Sequence, residues 1–318
     1  MVHDTQVRMK ELKMSEFHTG LVHTPVTPFK ADGSIDYETY GKLLDFHLTH
    51  GADCLALPMH AGESVSLMVE ERKELTNFAV KHVAGRAPVV VNVSEAGTAI
   101  AASLAAHAKQ AGAAALICAV PYYWTPPQQM LVEHFATIGK AGGLPFFVYN
   151  DPAEMNEVEF ASRSVVELLG KLPDFAGLID ASLDWQYMIE VVTVARGVWP
   201  EFQFISGSEY MISAGAVGAT GLLSPLAAVS PRLVRELYDL CQAEKYKDAR
   251  RQQEDAAILF RLFRDAGVPG LKAAARLMGR DCGAPRPPLP ALDTAQTQAL
   301  TAALPAVASV KAEPRGWV

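Results

Sequence analysis

The chain has 318 residues, half of them hydrophobic and a fifth charged, which suits a globular protein and a length that one large α/β barrel fills. A net charge of −7 with no cluster of Lys and Arg excludes a nucleic-acid surface, which needs a basic patch. No uncharged apolar stretch of about 18 residues occurs, so no membrane span is expected. The opening MVHDTQVRMKELKMSEFHT lacks the apolar run of a signal peptide, and the expected location is cytoplasmic.

In chain order, short runs rich in Val, Ile and Leu recur about every 25 to 30 residues. They are LVHTPV (21–26), DCLALP (53–58), PVVVNV (88–93), AALICA (114–119), PFFVYN (145–150), FAGLID (175–180), FQFIS (202–206) and GATGLL (218–223). Apolar runs without strict alternation suit strands buried on both faces of a parallel sheet. Segments 36–49, 70–83, 98–111, 127–141 and 158–170 between them have helical spacing. In the break after FAGLID, Ser182 or Asp184 could cap the following helix. Eight strands alternating with helices predict an α/β fold, a (β/α)8 TIM barrel. An open doubly wound sheet is the alternative, but no GxGxxG follows the first strand.

After the eighth strand the pattern stays helical over 231–243, 245–266 and 270–279. A Pro-rich link, APRPPLP (284–290), then leads to a last helix near 294–303. The expected organisation is an N-terminal tail (1–18), the barrel (19–228) and a C-terminal helical appendage with its tail (229–318). The four cysteines show no CxxC spacing, and Cys54 and Cys118 lie inside apolar runs, so they read as reduced core residues.

Barrels of this kind place their chemistry where strands end at the C-terminal face. The residues there are Thr24 and Thr27, then Met59 to Glu63, Asn92 and Ser94, Tyr122 and Tyr123, Tyr149 to Asp151, Asp180, and Ser206 to Ser208. That density of polar groups predicts a site but names no reaction. His60 is a candidate general acid/base because an imidazole titrates near neutrality. Glu63 reads as structural, Lys30 as solvated surface, and His23 as pointing away from the pocket. The turn at Trp124 to Pro127 reads as a rigid loop.

Several motifs together resemble the dihydrodipicolinate synthase / N-acetylneuraminate lyase family of class I aldolases, over about residues 19 to 305. They are TPVTPFKADGSID (24–36), AGES with EERKEL (61–64, 70–75), PYYWTPPQ (121–128), YNDP (149–152), SGSE (206–209) and LKAAARLMG (271–279). The resemblance implies a barrel with C-terminal helices and a homotetramer built from dimers; no cofactor is expected. It also implies a strand-six lysine that forms a Schiff base with a 2-oxo acid, the iminium serving as electron sink. The matching string here is Gly177-Leu178-Ile179-Asp180-Ala181-Ser182, with Ile179 at the lysine position, and no lysine occurs between Lys171 and Lys245. Isoleucine has no lone pair and cannot do this chemistry. Lys272 matches a lysine common in the family's C-terminal helix and is not read as a replacement.

The family's G-T-T-G-E reads Met59-His60-Ala61-Gly62-Glu63, so both threonines are gone. In the family, backbone N–H groups of this turn grip the substrate carboxylate, and that grip needs no particular side chain. The arginine that follows YNxP in the synthases falls on Glu154, a reversal that removes the usual acidic second substrate. Tyr149, the strand-five phenol, and Tyr123, which in the family reaches across the dimer, remain. The candidate catalytic residues are therefore His60, Tyr149 and Tyr123. The candidate substrate-binding residues are Ala61, Gly62, Glu154, Asp180, Ser206 and Gly207, with no metal ligands.

The expected function is a lyase or hydratase/dehydratase step on a small carboxylate-bearing, 2-oxo acid-like substrate, by acid/base chemistry without a lysine. The expected partners are a small-molecule substrate and further copies of the chain, with no nucleic acid and no membrane. Two alternatives stay open: a non-catalytic binder of the aldolase family, and a metal-assisted hydrolase using Asp180, Asp151, Glu154 and His60. Substrate identity does not follow from the residues.

Overall fold

The computed structural model describes residues 17–264 and 266–317. The expected N-terminal tail lies outside the described residues except for 17 and 18. Eight parallel strands close into a barrel in sequence order, each followed by a helix. They are β1 (Leu21–His23), α1 (Tyr37–Thr49), β2 (Cys54–Leu57), α2 (Val69–Val83), β3 (Val89–Asn92) and α3 (Thr98–Ala111). Next come β4 (Ala115–Ala119), α4 (Gln128–Gly142), β5 (Phe146–Asn150), α5 (Ser162–Lys171), β6 (Phe175–Asp180) and α6 (Trp185–Val198). β7 (Gln203–Ser206), α7 (Met211–Ala216), β8 (Gly221–Ser224) and α8 (Pro231–Gln242) complete the circuit. The C-terminal helices are α9 (Arg250–Arg264), α10 (Gly267–Leu277) and α11 (Thr294–Ala303). This is the (β/α)8 barrel with a helical appendage that the alternating pattern predicts. No helix among the described residues is long and apolar enough to cross a membrane.

The chain divides into two compact units. One holds 17–19, 90–208 and 213–221; the other holds 20–89, 209–212 and the described residues from 222 onward. In the first, Phe146, Phe147, Phe175 and Phe204 are fully buried, and each such side chain contributes about 1.5–3 kcal/mol when removed from water. Gly177 is required by close approach, because a Cβ there would lie 2.2 Å from the carbonyl oxygen of Gln203 on β7. Asp184 caps α6, accepting from the N–H groups of Gln186 and Tyr187 at 2.8 and 3.0 Å. In the second unit, Asp36 caps α1 by accepting from Thr39 N. His23 turns its ring outward from β1 onto α1, with Nδ1 3.1 Å from Nδ1 of His47. The four cysteines are free and buried.

Several elements are shorter than the sequence pattern suggests, each for a local reason. β1 stops at His23 rather than 26, because Pro25 has no N–H to give the ladder. β8 begins at Gly221 rather than 218: Gly218 sits at φ +94°, and its N–H turns back to Gly215. The segment before α5 is extended because the N–H groups of Phe160 and Ala161 are held by the side chains of Asn150 and Gln128. α9 begins at Arg250 because Glu244 takes a left-handed conformation and 245–249 form turns; the predicted end at 266 passes residue 265, outside the described residues.

Candidate functional site

In the first unit, the register brings Ala119, Tyr149, Ile179 and Ile205 into one row across β4 to β7, near the C-terminal ends of the strands. Ile179 is 1% exposed. The only polar side-chain group in this row is the phenol of Tyr149, which donates to Asp151 Oδ2 at 3.1 Å. Burial, with the nearby carboxylates of Asp151, Glu154 and Asp180, holds the phenol's pKa well above its usual value. Tyr149 therefore keeps its proton at neutral pH and acts as a hydrogen-bond donor.

Side chains alternate along a strand, so Asp180 faces away from that row. It is almost fully buried, accepting from Asn150 Nδ2 at 2.8 Å and from Ser182 Oγ at 2.9 Å. Desolvation by burial outweighs the lowering effect of those hydrogen bonds and, with a smaller contribution from Asp151, leaves its pKa raised to about 6. The Asn150 side chain also accepts from Phe160 N at 2.9 Å, so the pair ties β5 and β6 to the loop that precedes α5. Ser206 is buried and donates to Ser208 O at 2.7 Å. Gly207 N donates to Asp180 O at 2.6 Å, and a Cβ on Gly207 would lie 2.8 Å from that oxygen, which fixes glycine here. Glu154 is exposed on the loop after β5. Tyr123 is 79% exposed, in a left-handed conformation at φ +75°, with its ring edge-on to Trp124.

In the second unit, β2 runs into a 3-10 turn, His60–Gly62, that leaves His60 exposed while Ala61 and Gly62 are buried. The N–H groups of Gly62 and Glu63 are used within the turn, by Met59 O and His60 O. Those of His60 and Ala61 meet no acceptor among the described residues. Thr27 Oγ1 donates to Gly62 O at 2.6 Å, and a Cβ at Gly62 would crowd Pro25 O at 3.1 Å. The turn thus presents two adjacent unspent donors beside an exposed imidazole, an arrangement that can hold a carboxylate and exchange a proton.

The chain pattern did not reveal what fixes this turn. Glu63, at φ +56°, pairs with Lys272 of α10 at 2.6 Å, both side chains at most 2% exposed. Its other oxygen accepts from Arg286 N at 2.7 Å. Burial pulls the Lys272 pKa down, and Glu63 pulls it back up. Deleting one partner of such a pair costs about 3–5 kcal/mol, because it strands a buried charge. Arg286 lay in a stretch that reads only as a Pro-rich link, so nothing in its local pattern could have marked it. No group of three or more His, Cys, Asp or Glu suited to hold a metal ion occurs among the described residues.

Residues 17–307 match the model of the dihydrodipicolinate synthetase family. A 4-hydroxy-tetrahydrodipicolinate synthase from an Azoarcus species is 34% identical over 291 residues, covering 89% of this chain and 97% of the relative. The enzyme of the same name from Bartonella bacilliformis is 33% identical over 288 residues, covering 90% and 96%. The crystal structure of dihydrodipicolinate synthase from Aquifex aeolicus superposes with a TM-score of 0.87 at 29% identity, over 94% of this chain and 99% of that one. The chain belongs to the dihydrodipicolinate synthetase family.

Proposed function

We propose that this protein binds a small, 2-oxo acid-like carboxylate at the C-terminal end of its barrel and acts on it without a Schiff base, in a lyase or hydratase/dehydratase step. The observation that carries the reading is Ile179, buried in the row with Tyr149 and Ile205 on the strand where the family resemblance asks for a lysine. In this scheme the free N–H groups at His60 and Ala61 hold the carboxylate, with Gly62 keeping the turn tight. The His60 imidazole moves the proton, and the Tyr149 phenol, held by Asp151, positions or relays it.

Glu154, Ser206, Gly207 and Asp180 complete the proposed binding set. Asp180, with its oxygens engaged, acts through the loop it ties down. Tyr123 joins the site from a neighbouring copy in a homotetramer, a dimer of dimers in the cytoplasm. Its 79% exposure supports that role, because a phenol so exposed is free to meet a second chain. Light scattering at micromolar concentration should then show four copies; a strict monomer would remove Tyr123 from the scheme.

A thermal-shift screen of pyruvate, other 2-oxo acids and 2-hydroxy acids, run with and without a chelator, tests the reading. Stabilisation by carboxylates that survives the chelator is the expected result. Stabilisation that the chelator abolishes would favour metal-assisted hydrolysis instead. A non-catalytic binder is the second reading, favoured by the apolar row whose single hydroxyl is already donated to Asp151.

A further inference from the structure

The His60–Gly62 turn is tethered from one side by an unusual concentration of buried charge. Glu63 follows the turn directly, and its Oε1 lies 2.6 Å from Lys272 Nζ with neither side chain reaching solvent. Its Oε2 takes the N–H of Arg286. Both cations lie over one face-forming ring: Lys272 Nζ is 4.3 Å, and the Arg286 guanidinium 4.5 Å, from the centroid of Phe29. The Arg286 side chain in turn donates to Ser66 O at 3.0 Å and pairs with Glu71 at 2.6 Å, while Glu71 accepts from Met68 N. The segment from Glu63 to Glu71 is therefore pinned at four points to residues 272–286. On its other side the turn carries the bond from Thr27 Oγ1 to Gly62 O.

A buried ion pair adds little net stability over an apolar pair of similar size, so stability alone does not account for keeping one here. What it supplies is position: a carboxylate with Oε2 hydrogen-bonded to Arg286 N and Oε1 in a close ion pair with Lys272 restricts the backbone of Glu63 more than an apolar contact would. We propose that Glu63 and Lys272 are positioning residues, which hold the two free N–H groups and the His60 ring in the form that binds substrate. The C-terminal helices thereby act on the site although they do not touch substrate. This rests on the reading that the turn binds a carboxylate.

The test compares wild type, Lys272→Met, Glu63→Gln and the double variant in the full chain, by amide hydrogen exchange over 59–66, melting temperature and affinity for pyruvate. Each single variant should lower the melting temperature, speed exchange in the turn and weaken pyruvate binding by about tenfold or more. The double variant leaves no unpaired charge, and Glu63→Gln keeps an acceptor for Arg286 N. It should recover the melting temperature while exchange in the turn stays fast and pyruvate stays weak. Recovery of all three together would overturn the proposal, because the pair would then serve stability alone. Unchanged exchange over 59–66 in both single variants would overturn it too. If wild type binds no pyruvate, the carboxylate reading fails, and turn exchange in the recovered double variant still decides the positioning role.

Discussion

Two strand ends in this barrel spend their polar groups in opposite ways. At β6 the capacity is used up inside the protein: Ile179 is buried in an apolar row, and Asp180 gives its oxygens to Asn150 and Ser182. At β2 the structural task falls on Glu63, held by Lys272 and Arg286, while His60 stays exposed and two N–H groups meet no acceptor among the described residues. Buried polar groups are nearly always paired, so a ligand can recruit only those that the fold leaves unspent. On the proposed reading, the chemistry lies not on β6, where the family resemblance asks for a lysine, but at a turn that carries an exposed imidazole.

Removing the His60 ring should have the largest effect. Positioned acid/base groups contribute about 10²–10⁴-fold in rate, so His60→Ala should lower kcat on the substrate found by that order. The melting temperature should hold, because His60 is exposed and contributes little to the core. Full activity in the variant would return the β2 turn to a passive role.

A smaller effect probes the β6 side. Asp180 has a folded pKa of about 6 against a usual 3.8, so between those values the native state binds more protons than the unfolded chain. Its contribution to stability is present at low pH and is lost as pH rises through about 6. Asp180→Asn removes that slope. The variant's melting temperature relative to wild type should therefore improve as pH is raised from about 4 to about 7. A flat difference across that window would mean that the carboxyl is better solvated than its burial implies.

Much of the fold was readable because parallel strands buried on both faces leave continuous Val, Ile and Leu runs, as in PVVVNV and FAGLID. Ends were less readable where long-range bonds set them. Asn150 holding Phe160 N, ten residues on, delays α5, and no local propensity encodes that. Candidate residues at the strand ends could be named from position alone, but their engagement could not. Asp180 reads as a substrate-binding candidate and proves to be tied on both oxygens. The partners of Glu63 lie more than 200 residues further along the chain, at Lys272 and Arg286, where spacing carries no signal.

On the proposed reading catalysis needs no iminium on β6, and intact-mass spectrometry after incubation with pyruvate and borohydride tests this most directly. Ile179→Lys serves as the positive control: an amine among apolar side chains has a depressed pKa and should be trapped as the reduced pyruvate adduct. That variant should still lack dihydrodipicolinate synthase turnover, since Glu154 and His60 remain. Wild type should show no mass increase under the same conditions. A reduced-pyruvate adduct on any lysine at the C-terminal end of the wild-type barrel would contradict the account.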